Sequence, residues 1–362
     1  MKYISEYRDR QAVQALAERI RKVSSREMTF MEVCGGHTMA IHKFGIPSLL
    51  PGNIILKSGP GCPVCVSSRS FIDQAIALSL LPDVIITTFG DLIRVPGSLS
   101  SLEKARAEGS RVEIVYSILD ALRLAEKNPD RKIIFLGIGF ETTAPSSAAG
   151  ILTAYEKRLK NFFLLSSHKI MPPAMKALVE EGIKLNGYIG PGHVSTITGS
   201  SIYDELPLKY GLGCVISGFE PVDILQSIYM LALQVEERKP SVQIHYKRAV
   251  KPEGNRKALA LMEEVFELRD DWWRGLGVLP ASGLKLRNKY AGLDAEAQFH
   301  VDLPELREDK RCLCGDVLKG TKAPHECQLF GNVCNPENPV GACMVSQEGA
   351  CHAHYRYNYH EG

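Results

Sequence analysis

The chain has 362 residues, with 43 Lys and Arg against 41 Asp and Glu, and an apolar fraction of 45%. This length exceeds what one hydrophobic core usually organises, so we expect two or three domains. The near balance of charge argues against a nucleic-acid-binding protein, and the first residues lack the apolar stretch of a signal peptide. Since no apolar run approaches the roughly 20 residues that cross a bilayer, the sequence predicts a cytoplasmic protein.

The predicted elements alternate between helices and short strands. An amphipathic helix is predicted first, over residues 7–23. Seven apolar runs follow, each ending in a turn rich in glycine, polar residues or cysteine: 30–33, 53–56, 84–86, 133–136, 162–165, 187–189 and 214–216. Segments of helical composition lie between most of them, at 70–80, 118–127, 146–160 and 174–181. This alternation predicts an α/β fold with doubly wound parallel sheets, whose turns gather at one edge where ligands bind.

A short internal repeat suggests how the domains are arranged. The tripeptide Gly-Phe-Glu follows one predicted strand at 139–141 and another at 218–220. It indicates two similar α/β domains facing each other across a cleft, which we place at residues 1–150 and 151–240. Beyond them, glycine turns and a cysteine-rich tail predict a third domain at 241–362, irregular and mostly helical or loop.

The tail carries six of the ten cysteines: Cys312, Cys314, Cys327, Cys334, Cys343 and Cys351. In a reducing compartment metal binding or thiol chemistry explains them better than disulfides. Zinc sites usually show paired Cys-x2-4-Cys knuckles, which this spacing lacks, whereas four thiolates on irregular loops suit an iron–sulfur cluster. Two cysteines would then remain for redox work. Zinc and unrelated thiols stay open as alternatives, with His325, His352 and His354 as rival ligands.

Cys34 and His37 lie in the turn Cys-Gly-Gly-His-Thr, directly after the first predicted strand. The glycines allow a bound group to approach the backbone closely. The Cys-x2-His spacing can bring thiolate and imidazole to one metal ion, or let the imidazole activate a nucleophilic thiol. A buried cysteine beside a hydrogen-bonded histidine is the structural alternative.

Cys62 and Cys65 form a Cys-x-x-Cys motif behind a Gly-Pro-Gly turn. This is the compact spacing of a dithiol couple, and no second Cys-x-x-Cys completes a zinc knuckle. We interpret the motif as a redox pair that exchanges electrons or thiolates with Cys34.

Other strand-end turns supply polar groups without a recognisable catalytic triad. Glu141 and His193 are the strongest candidates, although capping of the next helix explains the glutamate equally well. The glycines at 137 and 139 resemble a dinucleotide loop, but the third glycine of that fingerprint is missing.

Taken together, the motifs resemble the HypD family of [NiFe]-hydrogenase maturation factors. They are Cys-Gly-Gly-His-Thr, Gly-Pro-Gly-Cys-Pro-Val-Cys, Gly-Phe-Glu-Thr-Thr-Ala-Pro, Gly-Pro-Gly-His-Val-Ser, Ser-Gly-Phe-Glu-Pro and Pro-Val-Gly-Ala-Cys-Met-Val-Ser-x-Glu-Gly-x-Cys, in this order over nearly the whole chain. The resemblance implies a scaffold for building the Fe(CN)2CO group, in complex with the small chaperone HypC, with cyanide from the HypE/HypF system.

The resemblance also implies roles for individual cysteines. It predicts one [4Fe-4S] cluster on Cys312, Cys327, Cys334 and Cys351, in surroundings similar to ferredoxin:thioredoxin reductase, with Cys314 and Cys343 as the neighbouring redox pair. Cys34 would bind the nascent iron together with the partner's N-terminal cysteine. Physical chemistry adds two hypotheses of our own: electrons pass from the cluster through Cys314/Cys343 to Cys62/Cys65 and on to the iron site, and turn amides and His37 or His193 hydrogen-bond the cyanide nitrogen.

A stand-alone iron–sulfur thiol–disulfide reductase is the alternative function, and a zinc-stabilised binding module is a weaker third. The Cys34-x-x-His37 turn separates the first two, because a reductase has no use for a third thiol beside Cys-x-x-Cys.

Overall fold

The structure is a computed structural model that describes residues 5–306 and 309–358. The ends of the outer predicted domains, at 1–4 and 359–362, lie outside the described residues. The strands within the described part are β1 Met28–Glu32, β2 Ile54–Ser58, β3 Val84–Thr88, β4 Val112–Ile114, β5 Lys132–Gly139, β6 Phe162–Lys169, β7 Gly187–Pro191, β8 Gly213–Ser217, β9 Val242–Ile244, β10 Phe266–Trp273 and β11 Gly277–Leu286.

The α-helices in the same ranges are α1 Arg10–Val23, α2 Gly35–Lys43, α3 Ile46–Leu49, α4 Pro63–Val66, α5 Arg69–Ser79, α6 Leu102–Ala107, α7 Ile118–Lys127, α8 Ala144–Glu156, α9 Met171–Glu180, α10 Gly192–Thr198, α11 Glu205–Tyr210, α12 Pro221–Glu237, α13 Arg256–Val265, α14 Ala295–Gln298, α15 Cys314–Leu318, α16 Ala342–Val345 and α17 Ala350–Asn358. All seven predicted strands and the five predicted helices are present. In the part of the chain that the structure describes, no helix is both long and apolar enough to cross a membrane.

Two sheets organise the α/β fold. The first is all parallel, in the order β2-β1-β7-β8-β9. The second has the order β10-β11-β6-β5-β3-β4, where β3 to β6 are parallel and the β10–β11 hairpin adds antiparallel to β6. The predicted α/β class with two parallel-dominated sheets is therefore confirmed.

The sheets do not follow the expected boundaries at residues 150 and 240. β1 and β2 pair in one sheet with β7, β8 and β9, and the intervening segment from β3 to β6 builds the other. The hairpin at 266–286, which we expected in an irregular third domain, extends the second sheet. Local apolar runs mark where strands lie but not which strands pair, since pairing depends on contacts between distant segments.

Each sheet is covered on both faces. A large apolar cluster contains side chains of both sheets and of the tail, while two further clusters cover the other faces. Strand alternation makes this possible: in β1, Phe30 belongs to an outer cluster and Met31 to the shared one. The shared cluster also contains Cys62, Cys65 and Cys343, so these thiols lie in the core that joins the sheets to the tail.

The tail after residue 309 is a smaller region of short helices and loops. Leu329, Phe330 and Met344 form its own apolar cluster together with Cys334. The last helix, α17, packs against α2, which directly follows β1. The tail is thereby placed beside the turns at the carboxyl ends of β1 and β2.

Candidate functional site

The candidate site is a cleft between the turns that follow β1, β2, β3 and β5. Its volume is about 520 Å3, and its lining residues come from both sheets and from the tail: Met39, Cys62, Pro63, Val64, Phe89, Gly90, Asp91, Ile138, Gly139, Thr143, Ser346, Gln347 and Glu348. The carboxyl ends of parallel strands meet at such an edge, as the sequence predicts.

The turns after β1 and β2 touch each other directly. The Gly35 amide donates to the carbonyl oxygen of Gly61 at 3.0 Å. A Cβ on Gly61 would lie 2.1 Å from the Cys34 amide nitrogen, so only glycine permits this approach. The structure therefore brings the Cys34–His37 turn against the loop that carries Cys62.

Two carboxyl groups surround Cys34. Glu32 accepts the Cys34 N–H at 2.9 Å and the Thr38 hydroxyl, which braces the turn. Burial raises the pKa of Glu32 to about 7. Burial first, and then the charges of Glu348 and Glu32, raise the pKa of Cys34 to about 12. The thiol is therefore neutral until a cation arrives to offset the charge of its thiolate.

His37 carries an unused nitrogen. Its Nε2–H donates to the carbonyl oxygen of Gly218 at 2.9 Å, whereas its buried Nδ1 has no hydrogen-bond partner among the described residues. Because a carbonyl only accepts, the proton belongs on Nε2 and Nδ1 presents a lone pair. Burial lowers the pKa of His37 to about 4. His37 therefore does not fit the expected role of hydrogen-bond donor to cyanide, because its free nitrogen is an acceptor.

An aromatic stack fixes the His37 ring. Phe219 lies between His37 and His193, with ring centroids 4.5 Å and 3.9 Å apart. Gly36 allows the Phe219 ring to pack closely here, since a Cβ would lie 3.1 Å from that ring. His193 thus contributes to the site through Phe219, which follows β8 in the second Gly-Phe-Glu tripeptide.

Glu141 lies apart from the cleft lining. Its Oε1 accepts the Met171 N–H at 3.0 Å, at the first residue of α9, while its buried Oε2 has no partner in the described part of the chain. Burial raises the pKa of Glu141 to about 7. The glycines near it are explained by packing, because a Cβ on Gly137 would lie 2.5 Å from the His168 ring.

The two cysteines of the Cys-x-x-Cys motif face different ways. Cys62 lines the cleft, and its sulfur accepts the Cys65 N–H at 3.4 Å. Cys65 is fully buried and shares a hydrogen bond with the thiol of Cys343. Burial opposes its ionisation, but the bonds from Cys343 and Cys62 and the charge of Arg274 outweigh it and lower the pKa of Cys65 to about 5. Of the two cysteines, the inner one is therefore the one whose surroundings favour ionisation.

The second cysteine pair continues this line of sulfur atoms. Cys314 and Cys343 lie with their Sγ atoms 2.6 Å apart, close enough to form a disulfide after a small movement. Cys343 thus touches Cys314 on one side and Cys65 on the other. Sequence reasoning paired Cys314 with Cys343 but could not show their contact with Cys65.

An enclosed cavity in the tail is lined by all six tail cysteines, together with Leu313, Phe330, Gly341 and Met344. None of the described histidines lines it, and His352 instead bonds through Nδ1 to the Met344 carbonyl at 3.0 Å. Among the described residues, no three His, Cys, Asp or Glu side chains are placed to hold one metal ion. A cubane is bound at separate corners, so its four cysteine ligands would surround it, and the tail cysteines converge in that way on a small cavity of about 10 Å3.

Four residues near the site have no counterpart in the sequence-based prediction: Glu32, Phe219, Arg274 and Glu348. The signal for Glu32 is a charge at the end of an apolar strand, one residue before the Val-Cys turn. Glu348 lies between Cys343 and Cys351 in a tail motif, and contacts Gly35 closely enough that a Cβ there would be 2.5 Å away.

Comparison with known proteins identifies the class. The sequence model of HypD, described as the hydrogenase formation hypA family, matches residues 11–358. Hydrogenase maturation factor HypD of Azotobacter vinelandii is 48% identical over 367 residues, which cover 99% of this chain and 97% of the relative. Hydrogenase maturation factor HypD2 of Bradyrhizobium diazoefficiens is 47% identical over 370 residues, which cover 99% and 97%.

A more distant relative agrees over the same length. Hydrogenase maturation factor HypD of Escherichia coli is 42% identical over 370 residues, which cover 100% of this chain and 99% of the relative. The chain therefore belongs to the HypD family, as its motifs predict. Its role is that of a hydrogenase maturation factor.

Proposed function

We propose that this protein is the scaffold on which the Fe(CN)2CO group of [NiFe]-hydrogenases is assembled, and that it has thiol redox activity of its own. The observation that carries the proposal is the contact between the Cys34–His37 turn and the Cys62 loop at an open cleft. A buried thiol and a buried imidazole lone pair thereby lie beside the loop whose Cys62 lines the cleft.

Cys34 is the proposed ligand of the iron cargo. Low-spin iron with cyanide and carbonyl ligands prefers soft thiolate donors. The surroundings keep this thiol protonated in the absence of a cation, so iron binding releases its proton. The His37 Nδ1 lone pair, three residues further along the same turn, is left free to bind the metal.

The tail is the proposed place of a [4Fe-4S] cluster, held by Cys312, Cys327, Cys334 and Cys351. When bound, such a cluster supplies single electrons to neighbouring thiols. The support is the cavity that these cysteines share with Cys314 and Cys343. The proposal includes thiol–disulfide exchange between Cys314/Cys343 and Cys62/Cys65, supported by the placement of all four cysteines in one buried cluster.

The proposed partners are the small chaperone HypC and the cyanide donor HypE, which acts with HypF. Exposed apolar side chains near the cleft support docking of a protein partner, since Ile114 and Tyr116 are 45% and 93% exposed and a Cβ added at Gly90 of the cleft wall would lie 3.8 Å from the Ile114 side chain. The proposed setting is the cytoplasm, because ten free cysteines persist as thiols in a reducing compartment.

The line of sulfur atoms from Cys62 to Cys314 equally favours the alternative, an iron–sulfur thiol–disulfide reductase. Infrared spectroscopy of the anaerobically purified complex with the small partner separates the two. We expect bands of metal-bound cyanide and carbonyl in the native complex and in Cys214→Ala, a buried cysteine in β8, and none in Cys34→Ala. A native complex without these bands, despite an active partner system, would favour the reductase.

A further inference from the structure

The phenyl ring of Phe219 is held on both faces and at two of its edges. Its faces carry the imidazoles of His37 and His193, each inclined to it by 23°. At its edges, a Cβ on Gly36 would lie 3.1 Å from Cε1, and a Cβ on Gly192 would lie 3.3 Å from Cε2. These neighbours follow β1 and β7, and Phe219 follows β8, so one ring joins the ends of three adjacent strands.

The turn that carries Phe219 is itself anchored by a buried ion pair. Asp223 is fully buried and accepts the Glu220 N–H at 3.2 Å. The two carboxylate oxygens of Asp223 also accept from both Nη atoms of Arg248, at 2.8 Å and 2.5 Å. A Cβ on Gly218 would lie 2.3 Å from Oδ2 of Asp223, so the turn packs directly on this pair. A bidentate pair has a defined geometry, and it therefore holds the turn in one place.

Phe219 also borders the space beside the Cys34 thiol. The point where a Cβ of Gly36 would stand lies 3.8 Å from Sγ of Cys34 and 3.1 Å from the Phe219 ring. Because Gly36 has no side chain, a gap remains between the thiol and the ring. The His37 Nε2–H donates to the carbonyl of Gly218, the residue directly before Phe219. One turn thus supplies both a wall of this gap and the bond that leaves His37 Nδ1 free.

We propose that Phe219 is a positioning residue for the iron cargo: it holds the His37 imidazole in one orientation and forms an apolar wall beside the Cys34 thiol. The inference rests on the proposed function, because it concerns the ligands of that cargo. Phe219 acts through His37, as groups behind a metal ligand commonly do when they orient it. An aromatic ring suits the task, since it stacks on both imidazoles and has no polar atom that would pair with Nδ1.

The test records the infrared spectrum of the full-length, cluster-loaded protein in its anaerobically purified complex with the small partner. The intensity of the metal-bound cyanide and carbonyl bands, divided by the cluster absorbance, measures how much of the iron group is held. The position and width of the bands report the surroundings of the iron. Circular dichroism checks the fold of each variant.

Three variants are compared with the native complex: Phe219→Leu, Phe219→Tyr and Phe299→Leu. Phe299 is the matched control, because it is half-buried like Phe219 and its ring also has an aromatic partner. That partner is Phe163 of β6, at a centroid distance of 4.8 Å, and it belongs to the other sheet. The control therefore removes an aromatic pair of similar kind without touching the turns after β1, β7 and β8.

We expect Phe219→Leu to lower the band intensity per cluster at least about tenfold, since loss of a group behind a metal ligand typically costs that much in metal affinity. The remaining bands should be shifted or broadened. A merely structural defect would reduce the yield of folded, cluster-loaded protein and leave the remaining bands unchanged in shape. Phe219→Tyr keeps the stacked ring and should stay within about threefold of the native intensity. Phe299→Leu should match the native complex.

Native intensity in Phe219→Leu would overturn the inference, and so would a loss that leaves the remaining bands unshifted and unbroadened. If this variant does not load its cluster, Gly36→Ala takes its place, because the added methyl group would displace the ring and fill the gap beside the thiol. A tenfold loss there, against native intensity in Gly52→Ala, supports the inference, and an unchanged spectrum overturns it. A native complex without bands, despite an active partner system, would refute the proposed function itself. Native bands with unchanged spectra in the Phe219 and Gly36 variants refute only the role of Phe219.

Discussion

Two buried histidines, each near the carboxyl end of a parallel strand, differ in whether both of their ring nitrogens have hydrogen-bond partners. His37 follows β1 and His168 lies near the end of β6, and burial lowers the pKa of His37 to about 4 and of His168 to about 3. Both ring nitrogens of His168 are paired, with Ser147 at 2.9 Å and Ser166 at 3.1 Å. His37 has one nitrogen paired and one free.

The surroundings explain this difference. The hairpin β10–β11 packs along β6, and Ser166 donates to the Leu284 carbonyl of that hairpin. The end of β6 is thereby covered, whereas the turn after β1 borders the cleft. A histidine with every polar atom satisfied is a structural residue, and an unpartnered buried nitrogen at a cleft is a functional candidate.

The largest effect should come from the thiols at the cleft. Cys62→Ser removes the outer sulfur of the dithiol, so we expect complete loss of hydrogenase maturation in cells or in a reconstituted assay. Cys214→Ala is the matched control, because Cys214 is fully buried in β8 and lines neither the cleft nor the cavity of the tail cysteines. Maturation by Cys62→Ser at the native level would show that the dithiol is dispensable.

The comparison of the histidines is tested directly by His37→Gln and His168→Ala. Glutamine can keep the bond to the Gly218 carbonyl but lacks the Nδ1 lone pair, so maturation should fall at least about tenfold while the fold persists. His168→Ala leaves the Ser147 hydroxyl buried without its partner and should cost about 2 kcal/mol of unfolding free energy. Its folded fraction should still support maturation. Maturation that is retained in His37→Gln but lost in folded His168→Ala would contradict the distinction between a functional and a structural histidine.

A smaller but clear effect should follow from separating the two turns. Gly61→Ala places a Cβ 2.1 Å from the Cys34 backbone nitrogen, which forces the turns apart. We expect a loss of at least about 3 kcal/mol in denaturant unfolding, beyond ordinary overpacking because backbone atoms are involved. At Gly52 no atom lies within 4 Å of an added Cβ, so Gly52→Ala is the control. Equal stability of the two variants would contradict the close contact.

A pH-dependent effect is expected at Glu141, whose pKa is raised to about 7 from 4.5. A raised carboxyl pKa gives stability that is fully present below pH 4.5 and is lost as the pH rises through 7. At 1.36 kcal/mol per unit the loss approaches about 3 kcal/mol at most, and Glu141→Gln should remove it. The free energy of unfolding, measured from pH 5 to 8, should therefore change less steeply with pH in the variant. An unchanged slope would mean that Glu141 is ionised in the fold without cost.

Much of the fold was predictable because the apolar runs in the sequence coincide with the segments that are buried in the structure. Seven apolar runs became strands, since a parallel strand buried on both faces must be apolar along its length. The hairpin β10–β11 was not found, because residues such as Arg269 and Asp270 interrupt any apolar pattern there. It is an antiparallel extension of the sheet, where one side of a strand can carry charge.

For the site, the sequence by itself determined the candidate residues: the Cys34–His37 turn, the Cys62/Cys65 pair and the six tail cysteines are recognisable from residue type and spacing. Only the tertiary structure decided which sulfur touches which, that Cys62 faces the cleft while Cys65 faces Cys343, and which nitrogen of His37 is free. The physical reason is that thiol contacts, burial and the partners of a ring nitrogen depend on segments far apart in the chain. Arg274 and Glu32 gain their significance only where the fold places them beside those cysteines.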